Sequence, residues 1–126
     1  MTIKDSGART LFDTGAVRDL QTGKGRMDLL PMDALIELSK HMEKGCAKYG
    51  ERNWEKGIPV SRFVDSAMRH MAHVMLGDID ECHLTAACWN MMCCLATILR
   101  IEEGILPVEL FDIEQPFPKT WTNSND

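Results

Sequence analysis

The stretch from Leu84 to Leu99 constrains this chain most. It carries Leu84, Ala86, Ala87, Trp89, Met91, Met92, Leu95, Ile98 and Leu99, apolar at nearly every helical phase. A surface helix shows one apolar stripe, whereas a helix apolar all round lies at the centre of a bundle or at a seam between subunits. With its flanks the stretch predicts a helix over about 79 to 102. The apolar run itself is too short for a membrane span and includes Trp89 and Asn90, so no membrane is expected as a partner.

Two more helices are predicted before it. Pro31 suits the first helical position, Asp33 and Glu37 sit early, and Leu35, Leu38 and Met42 recur at helical spacing. That helix is expected to stop near Lys44-Gly45. Cys46 to Pro59 reads as a structured loop. Ser61 is a good N-cap for a second helix through about Met75, with Phe63 or Val64, Ala67, Met68, Met71 and Met75 on its apolar side and Gly77 ending it. Residues 1 to about 30 show no helical period and are punctuated by Gly15, Gly23 and Gly25, as in an extended arm. A short helix or turn is expected after Pro107, and the chain from Glu114 on reads as irregular.

The expected fold is therefore all-α: a compact bundle of three to four main helices with an extended N-terminal arm and an irregular C-terminal tail. A chain of 126 residues fits one domain, with the arm at 1–30, the helical core at 31–104 and the tail at 105–126. The nine methionines and the scarcity of aromatics favour helices over strands. A net charge of −5 argues against a protein that coats nucleic acid polymers. It leaves room for a local basic pocket, and many basic residues do fall in the first 70. The five cysteines form no C-x-x-C pair, so they read as reduced core thiols. Cys82 beside His83 admits zinc only weakly, because sequence neighbours rarely share one tetrahedral site. The polar N-terminus shows no apolar leader, and a soluble, cytoplasmic protein is expected.

Polar residues beside the apolar stripes are the candidates for chemistry. The first helix offers Glu37 and His41, the second Asp65, Arg69, His70 and His73. The third opens with Asp78, Asp80, Glu81 and His83 and carries Asn90 seven residues later on the same face. Carboxylates turned inward from three helices are how a bundle holds hard divalent cations. Each also has a plainer reading: Glu37 as a dipole-favoured or solvent-facing acid, Asp65 with Arg69 as a surface ion pair, the acids near 80 as a solvated helix start, His70 and His73 as ordinary hydrogen-bonded histidines. In the loop, Lys48 and Arg52 lie four apart and can grip one polyphosphate, Tyr49 or Trp54 can stack on a base, and Asn53 can bond its edge. The alternative is that the two aromatics only pin the loop to the bundle.

Several motifs then occur in one order: G-A-V-R-D (15–19), G-K-G-R-M-D-L-L-P (23–31), K-Y-G-E-R-N-W (48–54), D-S-A-M-R-H (65–70), G-D-I-D-E (77–81) and H-L-T-A-A-C-W-N (83–90). Over roughly residues 13 to 100 this set resembles the phage dATP/dGTP diphosphohydrolase family, grouped with the MazG-like all-α NTP pyrophosphatases. The resemblance implies a metal-dependent hydrolase that splits a purine (deoxy)nucleoside triphosphate into monophosphate and pyrophosphate, shaping a phage's nucleotide pool. It implies Glu37, Asp65, Asp80 and Glu81 as ligands of Mg²⁺ or Mn²⁺, with Glu37, Asp65 and Glu81 as the catalytic carboxylates. Arg18, Lys24, Arg26, Lys48, Arg52 and Arg69 would meet the phosphates, while Asn53, Trp54, His70, His83 and Asn90 would line the rest of the nucleotide site. Two other readings remain open: a nucleotide-sequestering protein without turnover, and an interaction protein whose third helix is an oligomer seam. The apolar third helix leads us to expect a homodimer or homotetramer.

Overall fold

The computed structural model describes residues 5–117, and the α-helices among them are α1 (Met32–Tyr49), α2 (Val60–Leu76) and α3 (His83–Glu102). α3 is the centre. It buries His83, Ala86, Ala87, Asn90, Cys93, Cys94, Thr97, Ile98 and Ile101, a stripe at three- and four-residue spacing. α2 answers with Val60, Phe63 and Ala67. Most residues on the α3 stripe are small, so the two antiparallel helices approach closely. The buried polar groups on it are satisfied locally: Asn90 Nδ2 donates to the Ala86 carbonyl and Thr97 Oγ1 to the Cys93 carbonyl, both at 2.8 Å.

α3 is longer than the apolar run that marks it. Its length and a mean hydropathy of 1.5 would suffice for a membrane span, which corrects the reading from the run alone, yet 44% of that window is buried inside the fold. The face away from the core keeps Leu84 at 61% and Leu95 at 48% exposed. The thiols divide too: Cys93 and Cys94 are buried, whereas Cys82 and Cys88 are exposed, so only part of the set fits core thiols. Burial pushes the Cys93 thiol up to about 12.

Three element boundaries differ from expectation. α1 runs through Gly45 to Tyr49 and ends at Gly50, whose φ of 89° and N–H to the Cys46 carbonyl close the last turn. The neighbours Met42 and Trp89 hold α1 against α3, with Trp89 Nε1 donating to Met42 Sδ at 3.3 Å, and that packing outweighs glycine's propensity cost of about 1 kcal/mol. α2 starts at Val60 with Pro59 as its N-cap, two residues earlier than a Ser61 cap requires. The capping group comes from far along the chain: the Asp112 carboxylate accepts the Ser61 N–H at 2.8 Å and its hydroxyl at 2.5 Å. α3 starts at His83 rather than near 79, because Asp78 to Cys82 form the connector. α2 itself ends as expected at Gly77, in a Schellman turn where Gly77 N–H reaches the Val74 carbonyl and Asp78 N–H the His73 carbonyl.

Residues 5–30 form a separate compact unit from those that follow. Within it the expected loop contains an antiparallel hairpin, β1 (Arg9–Leu11) with β2 (Val17–Asp19), paired Arg9↔Asp19, Thr10↔Arg18 and Leu11↔Val17. Each strand is only three residues long, too short for a period to register in the sequence. In the larger unit, the chain after Gly104 is irregular apart from a 3-10 turn at Val108–Leu110. Leu106, Leu110, Phe111, Ile113 and Phe117 nevertheless pack on the core formed by Val60, Phe63, Cys93, Cys94, Ile98 and Ile101. The rest of the expected tail, 118–126, lies outside the described residues.

Two glycines in this unit respond oppositely to substitution. Gly45 is helical and a Cβ there meets nothing within 4 Å, so Gly45→Ala should stabilise by about 0.5–1 kcal/mol. Gly57 has φ +115°, and its Cβ would stand 3.0 Å from Leu110 Cδ1. Gly57→Ala should destabilise by more than about 1 kcal/mol. Urea melts of the two variants check the opposite signs.

Candidate functional site

The loop between α1 and α2 is held rigidly before it offers anything to a ligand. Arg52 takes the left-handed conformation (φ 57°) and leads into the 3-10 turn Asn53–Lys56. Arg100 of α3 stacks its guanidinium 4.8 Å from the Trp54 ring centroid. Glu55 ties the two sides together, 3.2 Å from Arg52 Nη1 and 3.4 Å from Arg100 Nη2. Trp54 thus pins the loop to the bundle and also walls a cleft.

That cleft has a volume of about 620 Å³ and is bounded by α1, the loop, the first half of α2 and α3, with Tyr49, Arg52, Asn53, Trp54, Arg62, Arg69, Trp89, Asn90 and Asp112 among its lining residues. Its size lies in the range of small-molecule sites, roughly 300–1,000 Å³. The guanidinium groups of Arg52, Arg62 and Arg69 together with the flat rings of Tyr49, Trp54 and Trp89 suit an anionic ligand with a planar apolar part. Arg62 has no place in the sequence-based set of nucleotide contacts, since nothing local distinguishes it from a solvated α2 cation. Asp112 enters from beyond α3, and only the folded chain brings it to Ser61.

A second cluster lies at the turn between α2 and α3. His70 and His83 sit on the facing stripes, and their Nδ1 atoms are 2.9 Å apart. His83 Nε2 is 2.7 Å from Asp80 Oδ1. Glu81 Oε1 lies 3.3 Å from His70 Nδ1 and 3.5 Å from His83 Nδ1. The His73 ring stacks on that of His83 at 4.6 Å, and His73 Nδ1 is 2.6 Å from Asp78 Oδ2. Among the described residues, His70, Glu81 and His83 are the group of three whose donor atoms all lie within 4.8 Å of one another. α1 faces this turn: His41 packs against Trp89 with ring centroids 5.4 Å apart, and the charges of Glu81 and His70 act on it. Glu37, one turn earlier, is felt at the Cys82 thiol.

The residues singled out from the sequence are distributed as follows. Arg52, Asn53, Trp54, Arg69 and Asn90 meet at the cleft. Lys48 and Arg52 do not share one helical turn, because α1 ends between them, and the Lys48 ammonium stands 5.1 Å over the Tyr49 ring. His70, Asp80, Glu81 and His83 meet at the turn. Glu37 is paired with Lys40 at 3.0 Å, and Asp65 with Arg69; both acids are exposed and neither joins the three-donor group. Arg18, Lys24 and Arg26 belong to the N-terminal unit, where Lys24 pairs with Asp19 at 3.2 Å and Arg26 with Asp28 at 2.7 Å. The donors that do gather are two nitrogens and an oxygen. Of the ions implied by the resemblance, such a set suits Mn²⁺ better than Mg²⁺, which prefers oxygen throughout.

Burial holds the imidazoles of His41 and His70 below their usual 6.5; the neighbouring Glu81 opposes this in both, and the nearby histidine adds to it. A group whose pKa is lower folded than unfolded favours folding in its neutral form, so that contribution is lost as pH falls. With EDTA present, the melting temperature should therefore drop as pH is lowered from above 6.5 towards 5. His41→Gln should flatten part of that drop. A flat profile for the parent protein would show that these imidazoles charge freely in the folded state.

A family model described as dATP/dGTP diphosphohydrolase, N-terminal, matches residues 14–105. No curated protein and no solved structure matches. The matched span takes in all three helices, the basic loop and the histidine–acid turn. The chain belongs to the dATP/dGTP diphosphohydrolase family.

Proposed function

We propose that the protein is a metal-dependent diphosphohydrolase that converts a purine (deoxy)nucleoside triphosphate to the monophosphate and pyrophosphate, acting on a phage nucleotide pool in the host cytoplasm. The observation that carries this reading is the cleft, in which Arg52, Arg62 and Arg69 share one cavity with Tyr49, Trp54 and Trp89. The guanidinium groups bind and orient the phosphates through charge-assisted hydrogen bonds. Glu55 and Asp65 pair with Arg52 and Arg69, and the phosphates would compete with them for these guanidinium groups. The aromatic walls take the base. Asn90, whose amide nitrogen is committed to Ala86, has its carboxamide oxygen left to accept from the nucleotide, and Asn53 serves the base edge.

A bound divalent cation supplies charge neutralisation at the phosphates and an acidified water. Glu81 and Asp80 at the α2–α3 turn would hold it, with Glu37 and Asp65 as the further carboxylates that the family resemblance implies. The acids would also orient the attacking water.

Incubation with dGTP or dATP and Mn²⁺ or Mg²⁺ should release pyrophosphate and monophosphate in equal amounts. Tight nucleotide binding without pyrophosphate would replace this reading with that of a sequestering protein. Arg62→Ala should weaken every triphosphate roughly tenfold or more and reduce the salt dependence. Trp54→Ala should change the ranking among bases. Equal losses for all bases with a large fall in melting temperature would leave Trp54 a packing residue only.

We also infer a homodimer or homotetramer. Leu84, Cys88, Met91, Met92 and Leu95 lie on one exposed stripe of α3, and Leu84 is 61% and Met91 48% exposed. An apolar stripe of this kind favours association. Light scattering at micromolar concentration should give a mass above that of a single 14.2 kDa chain; a clean monomer would refute the assembly.

A further inference from the structure

Two imidazole nitrogens 2.9 Å apart, as in His70 and His83, need a proton or a cation between them. The network fixes which. His83 Nε2 lies against the Asp80 carboxylate at 2.7 Å, so it carries the proton there, and His83 Nδ1 presents a lone pair towards His70 and Glu81. Without a cation, the proton on His70 Nδ1 bridges to that lone pair. We propose that His70, Glu81 and His83 form a facial site of two imidazoles and one carboxylate for a first-row transition-metal divalent cation. The site refines the metal part of the diphosphohydrolase reading: it shares Glu81 with that cation and sets Asp80 behind His83 instead of on the ion, while its geometry stands whether or not the chain turns nucleotide over.

The geometry fits such an ion. The donor atoms His70 Nδ1, His83 Nδ1 and Glu81 Oε1 are separated by 2.9, 3.3 and 3.5 Å. An ion about 2.1 Å from each would see angles of roughly 90–115°, between octahedral and tetrahedral. It would stand roughly 1 Å off the plane of the donors, leaving its far side open to water or a phosphate oxygen. On binding, the proton on His70 Nδ1 leaves that atom for Nε2 of the same ring, and the cation takes its place. Imidazole nitrogen ranks transition metals above Mg²⁺, so magnesium is a poor competitor here.

The surroundings are those of a built site rather than a chance meeting of side chains. Asp80 is a positioning residue: its bond to Nε2 fixes the tautomer and raises the basicity of His83, the usual outer partner of a ligating histidine. The His73 ring stacks on His83 at an interplanar angle of 17° and is itself tied to Asp78. His83 is buried to 6% side-chain exposure, while His70 at 23% and Glu81 at 53% leave a way in from solvent.

The test is a titration of the metal-stripped full chain with Co²⁺, read from its visible ligand-field bands. We expect saturation at one Co²⁺ per chain, undisturbed by about a hundredfold excess of Mg²⁺. Glu81→Gln and His70→Gln should each weaken Co²⁺ roughly tenfold or more, and Asp80→Asn by about 10–100-fold, with unchanged helix content by circular dichroism. Cys82→Ser should leave the bands as they are. Absence of bands in the parent protein overturns the proposal. So does parent-like affinity in both Glu81→Gln and His70→Gln, or a thiolate charge-transfer band that Cys82→Ser abolishes. Should Co²⁺ bind as expected while no pyrophosphate is released, the site stands and the enzymatic reading falls. Pyrophosphate release with no cobalt site would mean the reverse.

Discussion

The close approach of α2 to α3 is the constraint on which the rest of the structure depends. It comes from small residues on the α3 stripe, Ala86, Ala87, Cys93, Cys94 and Thr97, against Val60, Phe63 and Ala67. Bulkier groups there would hold the helices further apart. The same two stripes continue to the turn, where the next positions are His70 on α2 and His83 on α3. The histidines meet because the hydrophobic packing behind them leaves them little choice. The cleft follows from the same packing, since Asn90 belongs to the buried stripe of α3 and the neighbouring Trp89 reaches Met42 of α1.

Much of this was legible from the sequence. The apolar spacing marked the three described helices, as about 31–45, 61–75 and 79–102, and Gly77 marked one end correctly. The cleft contacts Arg52, Asn53 and Trp54 were visible because a basic, aromatic and amide-bearing run is unusual in a short loop. Less legible was whatever depends on residues far apart. Local rules favoured Ser61 as a cap, but an Asp112 carboxylate reached that end of the helix instead. Gly45 was a sensible stop on propensity alone, yet the contacts of Met42 and Trp89 carried α1 past it. Propensity differences of about 1 kcal/mol lose readily to tertiary packing.

The acid–histidine turn teaches a related lesson. Reading carboxylates as ligands and histidines as nucleotide contacts divided the cluster by residue type. In the fold the division is by position: Glu81 sits with both imidazoles, whereas Glu37 and Asp65 each face a cation on their own helix. The available signal was the phase of His70, which extends the series Val60, Phe63, Ala67 at helical spacing. A histidine in phase with a buried stripe is positioned to meet its partner helix, and that phase could have been read directly.

The Ser61–Asp112 clasp has a consequence for the order in which the chain assembles. The two residues are 51 positions apart, whereas α2 and α3 are joined by a short connector and can pair early with little loss of chain entropy. The clasp can close only after that hairpin exists and the segment beyond α3 has folded back across it. Contacts that form last and enclose the longest loop are natural candidates for opening first in the native state. Since Asp112 also borders the cleft, transient release of the clasp would widen the cavity while the hairpin stayed intact. Entry to the cavity would then have its own clock, set by a surface carboxylate and a hydroxyl rather than by the unfolding of any helix.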